Sequence, residues 1–133
     1  GPVLLAFWQT ECSACKLAAP YFNRLYDAYE NLTWSFWAIC QEDAAAATEF
    51  VRRYSFRPTV LIDAPSLAVS RAYDPPSTPT LYLVQPDDGI TLESSGFVKT
   101  ELNAISGRIA EYAGAEYVEV APADDGNPPF KPG

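Results

Sequence analysis

Histidine and methionine are absent from this 133-residue chain, and cysteine occurs only three times. A structural zinc site normally takes four ligands from cysteine and histidine, so the donors here fall short. Soft copper(I) still has two thiolates to choose, but neither imidazole nor thioether to add. Three cysteines are too few for a disulfide scaffold, and the odd count leaves at least one thiol unpaired within the chain. Basic residues are also scarce: 9 Lys and Arg face 17 Asp and Glu, for a net charge of -8. Nucleic-acid binding needs a basic stripe for phosphate, so that class is excluded. No run approaches the length of a membrane span. No leader segment is expected within these residues, since they open "GPVLLAF", directly on an apolar run. The expectation is a domain taken from something longer.

What is present is core material. Hydrophobic residues make up 48% and aromatic residues 14% of the chain, which suits a folded single domain. Val3 to Trp8 has strand length, as does the aromatic-rich Leu32 to Cys40. Between them Ala18, Phe22, Leu25 and Tyr29 form a helical stripe. A second stripe, Ala47, Phe50, Val51 and Tyr54, follows Asp43 as N-cap and leaves Arg52 and Arg53 facing water. Thr59 to Ile62 reads as a third, buried strand and Ser66 to Tyr73 as a short helix. "DPPSTP", Asp74 to Pro79, is a loop, and Thr80 to Val84 is a fourth strand. The turn "PDDG" leads into Ile90 to Phe97 as a hairpin. Lys99 to Tyr112 is a last helix, with Gly114 suited to its C-cap. The pattern is α/β, a mostly parallel sheet with an antiparallel edge hairpin. Residues 1–116 are expected to be the domain, and residues 117–133 a largely irregular, exposed tail.

Cys12 and Cys15 sit where the first strand hands over to its helix. In an open α/β sheet, reactive groups collect at such junctions. A sulfur at a helix N-terminus meets unpaired N–H groups and the positive end of the dipole, which favour thiolate. Positions i and i+3 are neighbours, so Cys15 can close a disulfide with Cys12. The exposed Cys12 then attacks a substrate disulfide, and the more buried Cys15 resolves the mixed disulfide. A purely structural bridge is the rival reading, but so short a loop gains little from closure.

The stretch "VLLAFWQTECSACKLAAP" resembles the active-site strand and helix of thioredoxins. Phe7 and Trp8 precede the cysteine pair, Lys16 follows it, and Pro20 comes five residues after Cys15. The continuation "EFVRRYSFRPTVLIDAPSLAVSRAYDPPSTPTLYLVQPDDGI" resembles the TlpA/ResA-like branch of that superfamily. That branch comprises extracytoplasmic thiol–disulfide oxidoreductases with an inserted strand and helix before a Thr-Pro. The resemblance runs from Pro2 to Gly114 and implies a thioredoxin-like fold with helices on both faces. It matches Cys12 to the nucleophile, Cys15 to the resolving thiol and Pro79 to a cis-proline beside them. Thr78 would offer backbone hydrogen bonds to a substrate strand, with Ser13, Ala14 and Trp8 alongside. Trp8 also reads as core, since alternation puts it opposite Phe7 and both faces of a parallel sheet are buried. Pro20 would kink the first helix, and Pro75 and Pro76 are ordinary loop residues. The implied partners are protein thiols and disulfides, with electrons from a membrane-bound donor. No bound cofactor or metal, an extracytoplasmic location and a monomer complete the expectation.

The chain departs from the thioredoxin pattern at several places. Ala6 stands where a buried acid commonly helps the resolving thiol, which leaves Glu11, Glu42 or a water as base for Cys15. The Glu11 carboxylate opposes negative charge on Cys12, and Lys16 partly offsets it. Ser13-Ala14 carries no histidine to stabilise a thiolate strongly, which tips the reading toward a reductant. Cys40 ends the second strand and reads as a third redox thiol or, more commonly for free cysteine, as a buried small hydrophobe. Two other functions compete. A peroxiredoxin-like peroxidase needs a Pro, a Thr or Ser and an Arg around its cysteine, and Thr10 alone does not supply that spacing. A non-enzymatic binding module or copper carrier would use the same two thiolates as ligands.

Overall fold

Alternation along Val3–Trp8 sends Leu4, Ala6 and Trp8 to one face and Leu5 and Phe7 to the other. Both sets are buried, so this strand must sit in the middle of a sheet covered on both sides. The computed structural model, which describes residues 1–133, places it there. Strands β1 (Val3–Trp8), β2 (Ser35–Cys40) and β3 (Thr59–Ile62) pair in parallel; β4 (Thr80–Gln85) joins β1 antiparallel, and β5 (Gly89–Ser95) completes a hairpin with it. The order is β3-β2-β1-β4-β5. Antiparallel pairing therefore begins at β1–β4, one pairing inside the edge hairpin.

Four helices cover the sheet: α1 (Ser13–Ala28), α2 (Ala44–Tyr54), α3 (Ala68–Tyr73) and α4 (Lys99–Ala113). Side chains of α1, α2 and α4 share one core with Leu4, Ala6, Trp8 and Phe36. The opposite face holds a smaller cluster of Leu5, Phe7, Ile39 and Tyr82, which α3 covers through Tyr73. Right-handed crossovers put α1 and α2 on one face, because both link parallel strands laid down in one direction, and α3 carries the chain back past β2 and β1 to the antiparallel β4 on the other face. Pro20 lies inside α1, and the helix continues through it to Ala28. Asp43 caps α2 as expected, its Oδ1 accepting the Ala46 N–H at 2.9 Å. Gly114 takes the left-handed C-cap of α4 with φ +66°.

Three expectations change. Thr59–Ile62 forms a strand, but it is the sheet edge rather than a buried strand, and Leu61 and Ile62 are about two-fifths exposed. An apolar run of four cannot by itself distinguish a centre from an edge. The second strand begins at Ser35, not Leu32, because Asn31 adopts φ +68° and the next residues turn first. Finally, residues 117–133 are largely irregular yet do not hang free. Val120 and Ala121 are buried in the main core, and β7 (Phe130–Lys131) pairs antiparallel with β6 (Phe97–Val98). The segment is tied down by polar groups, which composition alone reads as solvation. Lys99, 3% exposed, donates from Nζ to Asp125 Oδ1 at 2.6 Å and to the carbonyls of Pro122 and Asn127 at 2.9 Å each. A buried ammonium has three donors to satisfy, and this segment supplies an acceptor for each.

Candidate active site

The parallel register of β1 and β2 brings Trp8 opposite Cys40, and the chain leaves β1 through Gln9, Thr10 and Glu11 before α1 starts. That loop is clasped to the end of β2. Gln9 donates to Gln41 Oε1 at 2.9 Å, Gln41 N–H donates to Trp8 O at 3.1 Å, and the Glu42 carboxylate accepts from Thr10 through both N–H and Oγ1. The loop therefore has little freedom where it delivers Cys12.

Cys12 is the N-cap of α1, with extended backbone. Its half-buried Sγ accepts the Cys15 N–H at 3.2 Å and donates to the Thr78 carbonyl at 3.0 Å. A capping sulfur satisfies a helix-end donor and keeps the positive end of the dipole directed at itself. Both cysteines are free thiols. Cys15 is 2% exposed, one turn in, and its thiol is pushed above the ordinary 9.0 by burial first and by the Cys12 sulfur next. The Gln9 backbone and the Thr78 side chain act the other way and favour its thiolate. The groups that favour the Cys15 thiolate are thus uncharged. The contacts of the two candidate carboxylates lie elsewhere: Glu11 pairs with Lys16 at 3.2 Å on the surface, and Glu42 holds Thr10. The sequence offered Glu42 only as one of three candidate bases and gave no sign of its role as a clasp, because the partner lies 32 residues away.

The remaining residues divide. Thr78 and Pro79 come to the cysteine pair, with a cis peptide between them; Ala64–Pro65 is a second cis bond that the sequence did not suggest. Pro79 is buried, and its carbonyl accepts from Gly96 N–H at 2.8 Å. Ser13 is exposed beside Cys12, whereas Ala14 is buried in the main core and cannot face a substrate. Trp8 is 1% exposed and packs at a tilt against both Phe50 and Phe56, with ring centroids 4.6 and 5.5 Å away. It is a wall behind Cys15, not a substrate contact, and its indole N–H has no partner. Cys40 is wholly buried in the same core, and burial raises its thiol. That is the small-hydrophobe role. No group of three or more Cys, Asp or Glu side chains gathers in a way that suits a metal ion. No helix is long and apolar enough to cross a membrane.

Comparison with known proteins agrees with this geometry. The profile of the AhpC/TSA family matches residues 1–93. No curated protein matches the sequence. Among solved structures, the chain is similar to a protein of Chlorobium tepidum named thiol:disulfide interchange protein DsbE, with 23% identity, a TM-score of 0.74, and 84% of this chain covering 79% of that one. A secreted Mycobacterium tuberculosis disulfide oxidoreductase homologous to E. coli DsbE gives 25% identity and TM-score 0.65, with 83% and 81% covered. A thiol:disulfide interchange protein of Bacteroides sp. gives 15% and 0.70, with 95% and 77% covered. The fold is thioredoxin-like.

Proposed function

The chain belongs to the AhpC/TSA family, and on that premise we propose that it is a thiol–disulfide oxidoreductase acting on protein disulfides through Cys12 and Cys15. One observation carries the reading: a half-exposed sulfur caps a helix, touches the backbone of a cis Thr-Pro, and has a second, buried sulfur one turn behind it. In the reducing direction, the Cys12 thiolate attacks one sulfur of a substrate disulfide. A mixed disulfide forms and the first substrate thiolate leaves. Cys15 then attacks Cys12 Sγ, the second substrate thiolate leaves, and the Cys12–Cys15 disulfide remains. Two electrons pass to the substrate, whose two thiolates take up two protons, one of them released by Cys15. A dithiol donor must return the electrons.

The reducing direction rests on the pair Ser13-Ala14, which brings no cation to hold a thiolate, and on the Glu11 carboxylate beside Cys12. A potential near about -270 mV is expected, far from the about -120 mV of a strong oxidant. The TlpA/ResA-like resemblance supports an extracytoplasmic, monomeric protein that receives electrons from a membrane-bound donor. The named relatives, interchange proteins and a secreted oxidoreductase, are consistent with that setting. The contacts of Cys12 Sγ, the Cys15 N–H and the Thr78 carbonyl, include no arginine to polarise a peroxide, which favours disulfide exchange over the peroxidase reading.

Insulin reduction by dithiothreitol tests the proposal. The protein should accelerate precipitation of the reduced chains, and Cys12→Ser should abolish the acceleration. Turnover of hydrogen peroxide without insulin reduction, or stoichiometric retention of copper(I), would overturn it.

A further inference from the structure

β4 starts at Thr80, so the backbone at Thr78 lies just outside the sheet ladder and directly beside Cys12. An extended chain presenting a disulfide to Cys12 has this stretch of backbone to pair with. The last residues of the docked segment already lie on it. Lys99 N–H donates to Pro129 O at 3.0 Å, β7 pairs with β6, and the chain passes Gly96, whose φ of +77° and missing side chain permit the approach. A β-carbon on Gly96 would stand 2.9 Å from Lys131 O. Gly133 then rests on the Thr78 carbonyl. A β-carbon there would collide with that oxygen and come within 2.7 Å of Ser77 Oγ. Gly133 also borders a polar groove of about 340 Å³ lined by Gln9, Gln41 and Pro75 to Thr78. The anchor is the buried Lys99–Asp125 pair, with Tyr21 and Asn127 bonded into it.

We infer that Phe130–Gly133 is a specificity-determining strap, a role that rests on the disulfide-exchange reading. It covers the Thr78 carbonyl against extended protein chains, while a small flexible disulfide reaches the half-exposed Cys12 beside it. A protein substrate must first displace Gly133, so its apparent affinity is reduced by the fraction of molecules in which the strap is off. If that fraction is about one in ten, freeing the strap raises kcat/KM for a protein disulfide about tenfold and leaves a small disulfide unaffected. The chemistry at sulfur is unchanged in both cases.

Two variants of the 133-residue chain loosen the strap at separate points: Lys131→Pro takes a donor out of the β6–β7 ladder, and Asp125→Asn weakens the anchor. Both are assayed with insulin and with glutathione disulfide as the small substrate. The expected result is a rise of about tenfold in the insulin-to-glutathione ratio of kcat/KM in each variant. An unchanged or lower ratio, with glutathione disulfide still reduced at the wild-type rate, overturns the strap and leaves disulfide exchange standing. A wild-type protein that reduces neither substrate overturns the exchange reading and the strap with it.

Discussion

Cys15 is a thiol that burial keeps protonated, and this has a thermodynamic consequence. Its folded-state pKa lies above the ordinary 9.0, so the folded chain retains a proton that the unfolded chain gives up. The resulting stabilisation is complete below the unfolded value and drains away as pH rises from it toward the folded one. Reduced wild-type protein should therefore lose stability above pH 9.0 more steeply than Cys15→Ala. The difference in slope is at most about 1.4 kcal/mol per pH unit, read from urea unfolding at a series of pH values. The same residue has a kinetic signature. Cys15→Ser leaves the mixed disulfide on Cys12 unresolved, and intact-mass measurement should find the protein loaded with one substrate thiol. Both positions in this chemistry were legible from the spacing of two cysteines after an apolar strand, since helix geometry makes i and i+3 neighbours whatever the fold. What holds them was not. The Glu42 clasp on Thr10 and the approach of Thr78 to Cys15 are meetings of residues far apart in the chain.

At the scale of elements, α2 shows local rules and packing separately. Asp43→Ala removes the side chain that caps Ala46 N–H and should cost about 1 kcal/mol. Phe50→Ala is more severe, because that ring packs on Trp8, Tyr54 and Phe56 and its loss opens a cavity in the wall behind Cys15. The expected loss is about 3 kcal/mol in equilibrium unfolding. The first of these effects was readable from the sequence, as were the helical stripes and the hairpin turn, because periodicity and caps are local. The position of β3 was not. Four apolar residues fit a central strand as well as an edge, and only the strand order puts Leu61 and Ile62 at the rim. Leu61→Lys should accordingly leave stability within about 0.5 kcal/mol of wild type, as surface changes do; a larger loss in thermal unfolding would show the edge to be covered.

For the whole molecule, the docked segment gives the fold an acid sensitivity. The Lys99 ammonium, with the Tyr21 hydroxyl and the Asn127 N–H, holds the Asp125 carboxyl well below the usual 3.8, and the Arg24 guanidinium stands 3.8 Å away. A depressed folded-state pKa means that docking is fully supported above the unfolded value and is lost as pH falls below 3.8 toward the folded one. Relative to their intrinsic rates, the Lys99 and Lys131 amides should exchange faster in that range. Asp125→Asn should show the faster exchange already at neutral pH and no further acceleration in acid. An acid-insensitive segment would mean that Lys99 and Asp125 do not anchor it.

The sequence by itself determined the order of strands and helices, the cysteine pair at the head of the first helix, and the acidic charge balance that argues against nucleic acid. Each follows from near-neighbour geometry or from composition, and neither depends on how the chain closes on itself. Only the tertiary structure decided which strand lies at the edge, that Trp8 backs Cys15 instead of meeting a substrate, and that a polar, proline-rich ending folds onto the site. Those outcomes turn on long-range contacts. A buried ammonium at Lys99 needs acceptors, and the fold finds them 23 to 28 residues further along the chain, in a stretch whose composition reads as solvated tail.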